Sequence, residues 1–354
     1  MFKVLHECGW ARVGEIKTRR GTIKTPAMAV VVNPHKQVVK VNELTGRFKV
    51  DLLMTNAYIA YKDPRLRTLY LERGIHAFLE FRGPIYTDSG AFQMYSRGRV
   101  DVKPEEILKF QVKAGSDFIT VLDVFTFPSD EKPVAERKLA ITLERIREAR
   151  ETVKEAMLVG PIQGGLHLDL RAKAARSVAK IGVDVFAVGG IVPLMEGYRF
   201  KELVAVTDAC VRNLPRLKPV HAFGVGHPLS IPLLVAMGVD LFDTASYAVY
   251  AEDDRYITAQ LGTLRLEEIE EFPCSCPVCT KYTPKEVKDM LKPERVRTLS
   301  LHNLYVILRE IRLVRELIRD CSLPEYLEMV SATHPRLIDG VKLLKQLGYI
   351  KEKL

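Results

Sequence analysis

The sequence predicts an α/β protein built as a (β/α)8 TIM barrel, and three observations carry that prediction. Eight short apolar runs recur along the 354 residues, each nearly continuous in hydrophobic side chains, as parallel strands covered on both faces are. The segments between them are long enough for helices, and several return an apolar residue every three or four positions. No break in composition divides the chain, and 47% hydrophobic residues suffice for one large core.

Taken in order, strands are expected at 27–32, 51–55, 84–87, 118–122, 157–162, 185–188, 220–223 and 241–242. Helical periodicity is clearest at 104–114, 133–156, 169–181 and 228–237. In such a barrel the catalytic groups stand where strands end. Those ends read Asn56, Asp88, Asp123, Gln163, Gly189-Gly190, Gly224 and Asp243. One strand-end aspartate is more often a helix cap or a turn former. Three of them, with a glutamine and two glycine turns, converge on a single barrel mouth and are better explained as an active site.

Beyond strand eight, Cys274-Ser-Cys276-Pro-Val-Cys279 is followed by His302. Three thiols in a Pro-flanked turn plus one imidazole make a tetrahedral zinc site, and four protein ligands leave no open position, so the expected ion is a single structural Zn2+. A small zinc-binding subdomain is therefore inserted after strand eight. Cys8, Cys210 and Cys321 stand in apolar surroundings and read as free core thiols, with no disulfide framework expected. Segments 282–291 and 296–318 read as helices behind the cysteine turn. The domain reading is 1–322 for the barrel, with the zinc subdomain at about 264–305, and 323–354 for a helical C-terminal tail without a further core.

The N-terminus is charged where a secretory signal would be apolar, and no segment is long enough for a membrane span. The expectation is a cytoplasmic protein with no membrane association. A net charge of +9 favours a polyanionic partner without proving one. No Walker or Rossmann fingerprint is present, and Gly224-Val225-Gly226 is only a weak phosphate-turn signal, equally readable as a tight strand-to-helix turn. Two aspartates beside one substrate suggest a double displacement at an electrophilic carbon. The anomeric carbon of a sugar fits best, because its transition state is cationic. Phe92, Phe223 and Tyr247 lie close in sequence to these residues and could hold a planar base, although isolated aromatics are more often core.

Five segments, Pro84-Ile-Tyr-Thr-Asp-Ser-Gly-Ala-Phe-Gln93, Pro161-Ile-Gln-Gly-Gly165, Val188-Gly-Gly-Ile-Val-Pro-Leu-Met-Glu196, Leu241-Phe-Asp-Thr-Ala-Ser-Tyr247 and Phe272-Pro-Cys-Ser-Cys-Pro-Val-Cys279, together resemble the tRNA-guanine transglycosylases. The likeness spans roughly residues 10–320, and Thr-Ala-Ser-Tyr after Asp243 resembles the archaeal type. The resemblance implies exchange of guanine at position 15 of the tRNA D-loop for 7-cyano-7-deazaguanine, the precursor of archaeosine. It implies Asp243 as nucleophile and Asp88 as general acid/base. Asp123 would read the guanine N1 and 2-amino edge, and Gln163 with the Gly190 N–H would meet the O6 side. Phe92 and Phe223 would stack on the base, and Ser89 would line the pocket. The family's zinc knot, here Cys274, Cys276, Cys279 and His302, is structural. Archaeal relatives continue into an RNA-binding PUA module, so a separate PUA-domain subunit is expected as a partner, along with homo-oligomers. Two rivals stand: a related transglycosylase acting on DNA, and a non-catalytic zinc-bearing RNA-binding subunit.

Overall fold

The computed structural model describes residues 1–91 and 102–351. Three strands, β1 (Phe2–Cys8), β2 (Ala11–Thr18) and β3 (Gly21–Thr25), form an antiparallel meander at the start of the chain. Eight parallel strands follow: β4 (Ala27–Val31), β5 (Leu53–Asn56), β6 (Ile85–Asp88), β7 (Phe118–Thr120), β8 (Met157–Ile162), β9 (Val185–Val188), β10 (Val220–Ala222) and β11 (Leu241–Thr244). They close into a barrel when β11 pairs with β4 in parallel, setting Asp243 opposite Ala29. The (β/α)8 expectation holds, with every expected strand present.

Side-chain alternation divides the apolar residues into two sets. Ala27, Ala29, Met54, Tyr86, Phe118, Val159, Val185, Ala187 and Leu241 pack together inside the barrel, where Tyr86 and Phe118 stack at 5.1 Å. The opposite faces of the strands pack against the surrounding helices in a larger cluster. The opening meander was not foreseen. Its Ile16 and Ile23, both fully buried, join the inner cluster beside the first residues of β4, β9 and β11, plugging the amino end of the barrel. Arg12 on β2 fixes this plug through a paired contact, Nε and Nη2 donating to the two oxygens of buried Asp240 at 2.8 and 2.6 Å. Asp240 also accepts the Val220 N–H at 2.8 Å.

A second hairpin, β12 (Arg255–Ile257) with β13 (Thr263–Arg265), leads into the cysteine turn. Behind it, helix Pro284–Asp289 starts at a capping box of Thr283 and Glu286, and helix Lys292–Arg319 runs 28 residues along the barrel. Ala251, Tyr256, Leu266, Ile269, Val287, Val296 and Leu299 form a small core of their own here.

The C-terminal helices Leu323–Thr333 and Pro335–Gln346 join the main core, with Leu327, Leu337, Val341 and Leu344 buried in it. Their apolar residues recur at helical spacing, and Pro335–Gln346 covers the helix Phe200–Val211. Cys8 and Cys321 are not free thiols: they form a disulfide with Cα atoms 5.6 Å apart, within the range such a bond requires. Cys210 is free and fully buried, as expected.

Candidate active site

A cavity of about 480 Å3 opens at the carboxyl end of the barrel. All eight barrel strands reach it: Val31, Asn56, Asp88, Asp123, Gln163, Gly189-Gly190, Phe223-Gly224 and Asp243 line it at or just beyond the strand ends. Parallel strands bring these residues together because each points its last side chains toward the same face, although they are scattered over 213 positions. Seven of the eight expected catalytic and base-binding residues are described. Phe92 lies outside the described residues. Ser89 is next to Asp88 but does not line the cavity; it is fully buried and its hydroxyl donates to the Val121 carbonyl at 3.2 Å.

Asp88 ends β6 beside Asn56, its register partner on β5. Asn56 caps the helix Ala57–Lys62, its Oδ1 accepting the Ile59 N–H at 2.9 Å. That contact turns the amide nitrogen toward Asp88, to whose Oδ2 it donates at 2.6 Å. Loss of water, reinforced by the negative charges of Asp123 and Asp243 and only partly offset by the Gly90 and Ser89 N–H groups, pushes the Asp88 carboxyl up to about 7. Such a group exchanges protons near neutrality.

Asp123 is buried in the cavity wall, and burial pushes it up to about 6, against the opposing hydrogen bond from Gln163 and the charge of Arg145. Gln163 Nε2 donates to Asp123 Oδ2 at 2.5 Å, and its Oε1 accepts the Thr126 N–H at 3.2 Å. The glycines beside it leave room for this amide: a Cβ on Gly189 would stand 2.6 Å from Gln163 Nε2, and Gly190 has φ +70°. Sequence reasoning missed Arg171. Fully buried on helix Leu168–Ile181, it donates to the carbonyls of Ile162, Gly165 and Gly189 at 2.8, 2.9 and 2.7 Å. These bonds tie the ends of β8 and β9 together under the pocket, and an arginine within a helical pattern carries no signal of that.

Asp243 is the next-to-last residue of the last barrel strand, with its side chain almost wholly buried. Its Oδ1 accepts the Gly224 N–H at 2.7 Å. Gly224 has φ +69°, and a Cβ there would fall 2.3 Å from Val192 Cγ2, so the turn requires glycine. The Gly224-Val225-Gly226 turn, only a weak phosphate-turn signal in the sequence, here supplies a donor to the Asp243 carboxylate. Phe223 leans into the cavity, edge-on to His221 at 4.7 Å. Tyr247 forms part of the wall, its hydroxyl donating to the Val31 carbonyl at 3.0 Å.

The four residues Cys274, Cys276, Cys279 and His302 converge as expected, with all their ligand atoms within 4.8 Å of one another. Ligands of a tetrahedral ion at about 2.3 Å for sulfur and 2.0 Å for nitrogen stand about 3.5–3.8 Å apart. Cys276 Sγ to Cys279 Sγ is 3.5 Å, and His302 Nδ1 is 3.4 Å from each, so the donor set fits a four-coordinate ion. His302 Nε2 donates to the Ile257 carbonyl at 2.8 Å, which leaves the Nδ1 lone pair facing the sulfurs. Tyr256 stacks on His302 at 3.7 Å between ring centres and its hydroxyl lies 3.2 Å from Cys279 Sγ. The neighbouring Asn303 joins this cluster to the cavity wall. It accepts the Ile257 N–H at 2.8 Å and donates to the carbonyls of Arg255 and Tyr247 at 3.1 and 3.3 Å.

Residues 7–336 match the family described as queuine tRNA-ribosyltransferase. Among curated relatives, the tRNA-guanine(15) transglycosylase of Pyrococcus furiosus is 45% identical over 352 residues, which are 99% of this chain and 60% of that protein. Relatives of the same name from Methanosarcina barkeri and Methanopyrus kandleri are 45% and 46% identical, over 97% and 95% of this chain and 70% and 73% of theirs. The chain spans about three-fifths of the length of the Pyrococcus relative. With the barrel, the strand-end residues and the family match in agreement, the chain belongs to the queuine tRNA-ribosyltransferase family.

Proposed function

We propose that this protein exchanges a guanine in tRNA for a 7-deazaguanine, by double displacement through a covalent Asp243–ribose ester. The observation that carries this reading is a protonatable carboxyl, Asp88, sharing one cavity with the hydrogen-bonded carboxylate of Asp243. Asp243 attacks C1′ of the nucleotide as the C1′–N9 bond breaks, and Asp88 gives its proton to the departing guanine. The incoming base then attacks C1′ through its own N9, returns a proton to Asp88, and releases the Asp243 carboxylate. Two inversions retain the configuration.

Asp123 is suited to accept the N1–H and 2-amino hydrogens of guanine, a paired donor edge that both bases share. Its present partner, the Gln163 amide, occupies the place that edge would take and can turn toward O6, where the Gly190 backbone also lies. Phe223 supplies a stacking face. The name of the relatives points to position 15 of tRNA as the target and guanine as the base removed. 7-Cyano-7-deazaguanine, the archaeosine precursor, is the proposed incoming base. Labelled guanine should enter tRNA that carries the D-loop guanine and be displaced by 7-cyano-7-deazaguanine. Incorporation into duplex DNA and not tRNA would replace this reading with its DNA counterpart, and absence of exchange into either would end it.

The three thiols and one imidazole are proposed to hold a structural zinc ion that fixes the hairpin and, through Asn303, the cavity wall. Tyr256→Phe, which keeps the ring on His302 but removes the hydroxyl beside Cys279, is expected to weaken metal retention by about tenfold or more. Competition with a chromogenic chelator measures this.

A further inference from the structure

Of the buried titratable groups that take no part in the chemistry above, His221 lies nearest to it. His221 lies in the middle of β10, wholly inaccessible to solvent, with its ring between two polar side chains of the barrel interior. Nε2 is 3.0 Å from Asp243 Oδ1, and Nδ1 is 3.1 Å from the Tyr86 hydroxyl. Tyr86 is itself fully buried on β6, its ring edge-on to the imidazole at 5.1 Å. We infer that His221, held by Tyr86, is the positioning residue for Asp243, and that the pair selects Oδ2 as the oxygen that attacks. This rests on the base-exchange reading for its consequence, though not for its geometry.

A carboxylate oxygen can only accept, so Nε2 carries the hydrogen that Asp243 Oδ1 receives. In the neutral ring Nδ1 is then the acceptor and takes the Tyr86 O–H. Tyr86 keeps that hydrogen under working conditions, since burial first, and the negative charge of Asp243 second, push its hydroxyl well above the ordinary phenol range. Phenol, imidazole and carboxylate thus form one directed chain of donors. Oδ1 also accepts the Gly224 N–H and is held by two donors, while no hydrogen bond to Oδ2 is formed among the described residues. The less encumbered oxygen is the better nucleophile.

The chain acts differently on the two steps. When Oδ2 bonds to C1′ and the C1′–N9 pair of electrons leaves with guanine, Asp243 becomes an ester and the charge on Oδ1 is lost. When the second base attacks C1′, the C1′–Oδ2 pair returns to the carboxylate, and the donors on Oδ1 stabilise the charge as it re-forms. Losing them should therefore slow release of the ester more than its formation.

The test uses the full chain with its metal. His221→Leu should lower kcat by about a hundredfold, the scale of a misplaced reacting group, with KM for tRNA unchanged and a larger fraction of enzyme trapped as the covalent tRNA adduct. His221→Gln, which keeps an N–H donor, should recover part of the loss. Tyr86→Phe should lower kcat about tenfold in the parent and hardly at all in the His221→Gln background. Unchanged kcat in Tyr86→Phe, or strictly additive losses, would overturn the inference. Separately, 15N spectra of the histidine-labelled parent, with His221 assigned by its loss in His221→Gln, should show the Nε2–H tautomer. An Nδ1–H tautomer would also overturn it. If the parent shows no exchange at all, the proposed function falls while the nitrogen spectrum still decides whether the donor chain exists.

Discussion

Asp243→Asn is expected to lose at least about 10⁴-fold in guanine exchange, the scale seen when a member of a covalent catalytic unit is removed, and to form no covalent tRNA adduct. The amide is nearly isosteric and can still accept the Gly224 and His221 hydrogens on its oxygen, so the fold and the cavity should persist. The outcome isolates the nucleophile: an amide has no charged oxygen to offer C1′. Single-turnover exchange with labelled guanine and denaturing electrophoresis of the adduct measure both effects. Retained exchange in this variant would show that the sugar is attacked by some other group.

Asp88→Asn should separate activity from stability. The variant cannot donate or accept the exchanged proton, so guanine exchange should fall by about 10²–10⁴-fold, the usual worth of general acid/base catalysis. Its stability should move the other way at alkaline pH. The folded chain holds the Asp88 proton up to about pH 7, whereas an unfolded aspartate loses it near about pH 4. The native state binds more protons between those values, so its stability falls as pH rises through that window and the loss is complete above it. An amide in place of the Asp88 carboxyl does not titrate and carries no such pH dependence. At about pH 8 the variant should therefore be more stable than the parent, by about 4 kcal/mol if the whole shift were realised and about 2 kcal/mol once screening by cavity water is allowed for. Denaturant unfolding at about pH 5 and about pH 8 tests it: the stability advantage of the variant over the parent should be clearly larger at the higher pH. Buried Asp123, pushed up to about 6, and buried Glu310, pushed up to about 7, add slopes of the same sign. Parent exchange should also decline above about pH 7, as Asp88 loses the proton it gives to the departing base.

The barrel was legible because its strands are covered on both faces and read as short apolar blocks. The final strand was expected to stop at Phe242 and continues through Thr244. The two polar residues that disguise its end are Asp243, the proposed nucleophile, and Thr244, which is buried. The carboxylates were legible for the same reason, as polar residues closing apolar runs. The opening meander was missed because β1 is largely solvent-facing and carries charges among its apolar residues. His221 was missed inside an assigned strand, although period-two alternation puts it on the same face as Phe223. A histidine on the inward face of a barrel strand, one pleat below the mouth, was the available signal. Arg171 and the Cys8–Cys321 bond depend on contacts between distant segments, and local pattern contains neither.

That bond also changes what a break in the backbone means. Residues 8 and 321 enclose the eight barrel strands, Asp88 and Asp243, and all four residues of the cysteine–histidine cluster within one covalent circuit. A protease that nicks any single surface loop inside this span opens the circuit without releasing a fragment, and both pieces remain one molecule until a reductant is added. A chain nicked in this way has the connectivity of a permuted one, with new ends in a loop and the original closure kept by sulfur.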